Sequence, residues 1–66
     1  MFKHLLGQIV EAGLTREYIA NELGISPSSL SNKLTGKTEF RISECCKIKN
    51  ILNYENSLDE LFQKSN

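Results

Sequence analysis

No run of apolar residues in this chain is longer than three, the longest being Tyr18 to Ala20, whereas about 20 are needed to span a bilayer. A membrane-crossing helix is thereby excluded. The opening segment is interrupted by Gln8 and Glu11 and lacks the continuous apolar stretch of a signal peptide, so a cytoplasmic protein is expected. Tryptophan is absent, and the two cysteines, Cys45 and Cys46, are neighbours. Disulfide-stapled mini-proteins use several spaced pairs to close long loops, so here the hydrophobic core must hold the fold unaided. Adjacent helical residues point about 100° apart, so the two thiols cannot face one metal. No CxxC spacing and no second histidine beside His4 completes a tetrahedral site. Cys45 is expected in the core and Cys46 half-buried, as small hydrophobes. A chain this short leaves little room for a cleft that activates a thiolate, and enzyme activity is not expected. Gly36-Lys37-Thr38 imitates the end of a phosphate-binding loop, but the upstream glycine of that motif falls on residue 31, a serine. No cofactor, metal or small-molecule ligand is expected.

What remains is an ordinary globular composition, 39% apolar and 24% charged over 66 residues, enough for a single domain spanning 1–66. A folded chain of this size removes only about 60% of its unfolded surface from water, which favours short connections and a helical bundle. The formal net charge is zero, yet the charges are unevenly placed. Residues 1–25 carry two basic and three acidic groups, residues 26–49 five basic and two acidic, and residues 50–66 one basic and three acidic. The middle third can therefore present a basic face.

The helical punctuation is legible. Phe2, Leu5, Leu6, Ile9 and Val10 recur at the spacing of one helix face ahead of Gly13, predicting a first helix over about 2–12. Thr15 is placed to cap a second helix, about 16–23, with Glu17 at its positive end and Leu14 and Ile19 in the spacing of a hydrophobic staple. That helix stops at Gly24. After Ile25, Ser26-Pro27 supplies a cap and a first-turn proline for a third helix, in which Leu30 and Leu34 form the inward stripe. Thr35-Gly36-Lys37-Thr38 reads as a loop, its far end anchored by Phe40 and Ile42. A fourth helix follows over about 43–53, with Cys45, Ile48 and Leu52 on one side and Ile51 adjoining. Ser57-Leu58-Asp59-Glu60 fits a capping box ahead of Leu61 and Phe62, predicting a short fifth helix. No stretch alternates with period two long enough to argue a strand.

Two short helices joined by a glycine-containing turn of three to four residues describe a helix-turn-helix, over about 16–35, whose second helix enters the DNA major groove. The small Ala20 lets the two helices cross closely. If Leu30 and Leu34 face inward, the opposite surface carries Ser28, Ser31, Asn32 and Thr35, all short hydrogen-bonding groups. A merely solvated face usually carries Glu and Lys. Short polar side chains let a helix approach base edges, where Asn can pair with adenine and Ser can donate or accept.

The string Leu14-Thr15-Arg16-Glu17-Tyr18-Ile19-Ala20-Asn21-Glu22-Leu23-Gly24-Ile25-Ser26-Pro27-Ser28-Ser29-Leu30-Ser31 resembles the DNA-binding domains of the phage repressor and Cro (XRE) family. The segment Leu30 to Lys37 resembles the recognition segment of its small Gram-positive phage-type members. The resemblance covers about residues 3–62, with Ala20, Gly24, Ile25, Ser26 and Leu30 in register. It implies an all-α, compact five-helix, lambda-repressor-like bundle that acts as a sequence-specific transcriptional regulator, repressor-like or Cro-like, on double-stranded DNA. It also implies base-reading positions at Pro27, Ser28, Ser31 and Asn32, and phosphate positions at Arg16, Lys33, Thr35, Lys37 and Arg41. The best-known members have glutamines at the start of both helices; here stand Arg16, which offers a phosphate contact, and Pro27, which offers only apolar contact. Lys33 stands where classical members often have an apolar residue, and its ammonium is expected to reach toward phosphate along the surface.

The rival class is a protein-binding module, antitoxin-like or antirepressor-binding, in which the same helix-turn-helix meets protein. One recognition helix reads only a few base pairs, so a weak homodimer on a two-fold operator is expected. Ile51, Tyr54, Leu58 and Phe62 offer apolar surface for it.

Overall fold

The computed structural model describes residues 2–64, which hold five helices and no strand: α1 (Lys3–Glu11), α2 (Arg16–Leu23), α3 (Pro27–Thr35), α4 (Ile42–Leu52) and α5 (Leu58–Leu61). The ends of the expected 1–66 domain, residues 1, 65 and 66, lie outside the described residues. Starts are set by hydroxyl caps on α2, α3 and α5. Thr15 Oγ1 accepts from the Tyr18 N–H at 3.1 Å, Ser26 Oγ from the Ser29 N–H at 3.1 Å and Ser57 Oγ from the Glu60 N–H at 3.2 Å. Pro27 occupies the first turn of α3, where a missing N–H costs nothing.

Four helices stop by one device. The Gly13, Gly24, Gly36 and Asn53 N–H groups bond back to Val10, Asn21, Lys33 and Asn50, and the next residues, Leu14, Ile25, Lys37 and Tyr54, to Ile9, Ala20, Asn32 and Lys49, all at 2.9 to 3.2 Å. This paired pattern is the Schellman motif, which satisfies the last carbonyls of a helix by turning one residue left-handed. At Gly24 φ is +72° and at Asn53 +54°; asparagine is the side chain that tolerates that region best after glycine.

Each helix then contributes one or two side chains to a single core: Phe2 ahead of α1, Leu5 and Ile9 from α1, Ile19 and Ala20 from α2, Leu30 and Leu34 from α3, Ile48 from α4 and Leu61 from α5. α2 packs on α3 and α4, and α5 on α4 and α1. The chain start is fastened to the recognition-helix candidate, since the Phe2 N–H reaches the Leu34 carbonyl at 3.4 Å. Phe2, Phe40 and Phe62 meet edge to face, with centroids 5.0 to 6.0 Å apart, an arrangement in which ring edges meet the negative faces of their neighbours.

Two sequence expectations are corrected. Val10 and Ile42 are each 76% exposed. Val10 follows Ile9, which takes the inward position, and Ile42 is the first residue of α4, so Phe40 alone anchors the loop. Cys45 is half-buried and Cys46 exposed, one step further out than expected, because Ile48 takes the centre of the α4 face. Ile51, Tyr54 and Phe62 are half-buried against the chain's own core, Leu58 is half-buried as well, and Tyr54 also bonds His4 across 2.9 Å.

At Gly24 a Cβ would meet nothing within 4 Å, so substitution there costs only backbone strain. Gly24→Val is expected to lose about 1 to 3 kcal/mol. Gly7 is an exposed helix-interior residue with open space around it, and Gly7→Ala is expected to gain about 0.5 to 1 kcal/mol. Thermal melts check this: the two variants should bracket the parent, and shifts of the same sign would remove the left-handed turn from the account.

Candidate nucleic-acid interface

α2 and α3 are joined by Gly24, Ile25 and Ser26 alone, and the turn is held from both ends. The Ile25 N–H closes α2 on the Ala20 carbonyl at 3.0 Å, and Ser26 opens α3 as its cap while donating to Ser29 Oγ at 3.0 Å. Ala20 is buried, as a close helix crossing requires. A groove of about 450 Å³ runs beside the turn, bounded by Glu17, Tyr18, Ala20, Asn21, Ile25 and Pro27.

Because Leu30 and Leu34 are fully buried, the helical period turns the opposite face of α3 outward. Pro27, Ser28, Asn32 and Thr35 are exposed and Ser31 is half-buried. Among the described residues the Asn32 side-chain amide has no hydrogen bond, while its backbone carbonyl accepts from the Lys37 N–H at 2.9 Å and the Thr38 N–H at 3.3 Å. The exposed amide and the loop carrying Lys37 are thus held by one peptide group.

Of the expected phosphate positions, Arg16, Lys37 and Arg41 are exposed, and no ion pair among the described residues engages them. Arg16 begins α2, Lys37 follows α3 and Arg41 precedes α4. The other two positions have partners within the chain. The Lys33 ammonium lies 3.2 Å from Glu44 Oε1 and donates to the Glu39 carbonyl at 3.1 Å, so it is turned to α4 and the loop rather than outward. The Thr35 hydroxyl directs its proton at the Ser31 and Asn32 carbonyls, 3.0 and 3.2 Å away, and phosphate, which only accepts, would have to compete for it.

Glu44 is the residue that sequence reasoning missed. It lies 11 positions beyond Lys33, on the next helix, and nothing in sequence spacing pairs them. Its Oε1 also accepts from the Arg41 N–H at 2.9 Å, forming the acidic half of a cap for α4. Burial pulls the Glu44 carboxyl upward, but the Arg41 N–H, the Lys33 hydrogen bond and the charges of Lys33 and Arg41 outweigh it and hold the group below the ordinary carboxylate range.

Elsewhere the chemistry is quiet. Burial, then Cys46 and Glu44, push the Cys45 thiol up, so it stays protonated at neutral pH and is a poor nucleophile. No group of three or more His, Cys, Asp or Glu among the described residues is placed to hold a metal, and no helix there is long and apolar enough to cross a membrane. A smaller cavity of about 240 Å³ opens beside Phe2, Phe40 and Phe62, with Gly36 and Thr38 in its lining.

Residues 1–64 match the family described as Protein of unknown function (DUF739), and the chain belongs to that family. No curated protein and no solved structure matches it.

Proposed function

We propose that this DUF739 member is a sequence-specific DNA-binding regulator of the phage repressor and Cro type, with α3 as its recognition helix. The observation that carries the reading is the composition of the outward face of α3. Over buried Leu30 and Leu34 it offers Pro27, Ser28, Ser31 and Asn32, side chains short enough for the helix to sit against base edges. Exposed Arg16, Lys37 and Arg41 stand at helix ends and in the loop beyond, where they can neutralise phosphates on either side of a groove. A packed helical hairpin with no nucleic-acid role has no reason to keep charge off that face. Bound over a promoter, a domain of this kind acts by excluding polymerase.

Fluorescence anisotropy with random duplex DNA at two salt concentrations tests the reading. Binding that weakens steeply with salt is expected; no binding at low salt would favour the protein-binding module instead. Selection from a random pool then supplies a preferred site, on which Asn32→Ala is expected to cost about 1 to 3 kcal/mol while changing random-duplex affinity little. Equal losses on both duplexes would remove Asn32 from the base-reading set.

A further inference from the structure

Lys33 follows half-buried Ser31 and exposed Asn32 on α3 and precedes the cationic loop, yet its charge is already answered. Its ammonium is held by the Glu44 carboxylate at 3.2 Å and the Glu39 carbonyl at 3.1 Å, with the two charged side chains 13% and 12% exposed. Glu44 in turn is fixed by the Arg41 N–H at 2.9 Å, so the carboxylate is oriented by the first turn of its own helix before Lys33 arrives. A lysine whose ammonium is neutralised within the protein releases no counter-ion when DNA binds, whereas each free cation that meets a phosphate does.

We infer that Glu44 is a built-in counter-ion that withholds Lys33 from DNA phosphates and so limits how tightly this face grips DNA of any sequence. The inference rests on the DNA-binding reading above. Glu44 acts through Lys33 and is a positioning residue: it braces α3 against α4 and sets the number of cations the face can spend on phosphate. The depressed titration of its carboxyl keeps the counter-ion charged throughout the neutral range. Affinity, and with it the salt dependence, is the quantity under control; the preference between sequences stays with the base-reading side chains.

The test is a double-variant cycle read by salt-dependent anisotropy on random duplex DNA. Glu44→Gln keeps an oxygen for the Arg41 N–H but removes the charge. It should steepen the slope of log affinity against log salt by about 0.9, which amounts to about eightfold tighter binding at 0.1 M salt. Lys33→Met combined with Glu44→Gln removes both charges and should return affinity and slope to those of the parent. An unchanged Glu44→Gln, or a double variant with a shallower slope than the parent, overturns the inference while the parent's own binding leaves the DNA-binding reading standing. A parent that binds no duplex overturns both. The carboxyl carbon resonance of Glu44, followed by NMR titration of the free protein, gives a check without DNA. Its midpoint should lie below that of an ordinary glutamate and rise in Lys33→Met, and a midpoint indifferent to Lys33 would remove the pair.

Discussion

Leu30→Ala is expected to lower the melting temperature by more than about 10 °C. Leu30 is fully buried, on the inward stripe of α3 and in the core to which every helix contributes. Truncating such a leucine loses its transfer free energy and leaves a cavity, together about 2 to 5 kcal/mol. A domain of this size has a total stability of roughly 3 to 10 kcal/mol, and each kcal/mol lost shifts its melting point by about 4 to 8 °C. The comparison that isolates packing from hydrophobicity is Val10→Ala. Val10 belongs to the same apolar series in sequence but is 76% exposed, so its truncation should stay within about 0.5 kcal/mol of the parent. Calorimetry or circular dichroism decides it, and similar losses for the two variants would mean that the α3 stripe is not where the core lies.

That contrast also marks how far the sequence is legible. Helix boundaries were readable because each carries its own local chemistry: a hydroxyl cap at Thr15, Ser26 and Ser57, and a residue suited to left-handed backbone at Gly13, Gly24 and Gly36. Such signals act over three or four residues, and sequence spacing carries them intact. Asn53 does the same work as those glycines and was not anticipated, since asparagine is common in many other settings. The inward stripe of α3 followed from period alone. Val10 and Ile42 did not, because period identifies a face but not where, near a helix end, that face stops being covered. Lys33 shows the deeper limit. Its charge and its helix were legible, but the direction of its ammonium is decided by Glu44, brought beside it only when α4 packs after the loop. The aromatic contact of Phe62 with Phe2 and Phe40 is non-local in the same way.

The largest effect on binding is expected from removing the three exposed cations of the proposed face together. In Arg16→Ala/Lys37→Ala/Arg41→Ala the slope of log affinity against log salt for random duplex DNA should fall by about 2.7, since each phosphate contact contributes about 0.9. At 0.1 M salt that is a loss on the order of several hundredfold. The fold should tolerate the change: all three side chains are exposed, and no ion pair among the described residues involves them. The cap at the start of α4 is made by the Arg41 backbone N–H and Glu44 rather than by the guanidinium. The circular dichroism spectrum and melting point of the triple variant should therefore stay near those of the parent. Lys3→Ala provides the control, because Lys3 is equally exposed but opens α1, outside the helix-turn-helix. A protein that binds through one face should lose about one unit of slope with Lys37→Ala and far less with Lys3→Ala. Equal losses at the two positions would mean that DNA senses only the overall charge of the molecule, and the assignment of α3 and its flanking cations as the contact face would fall.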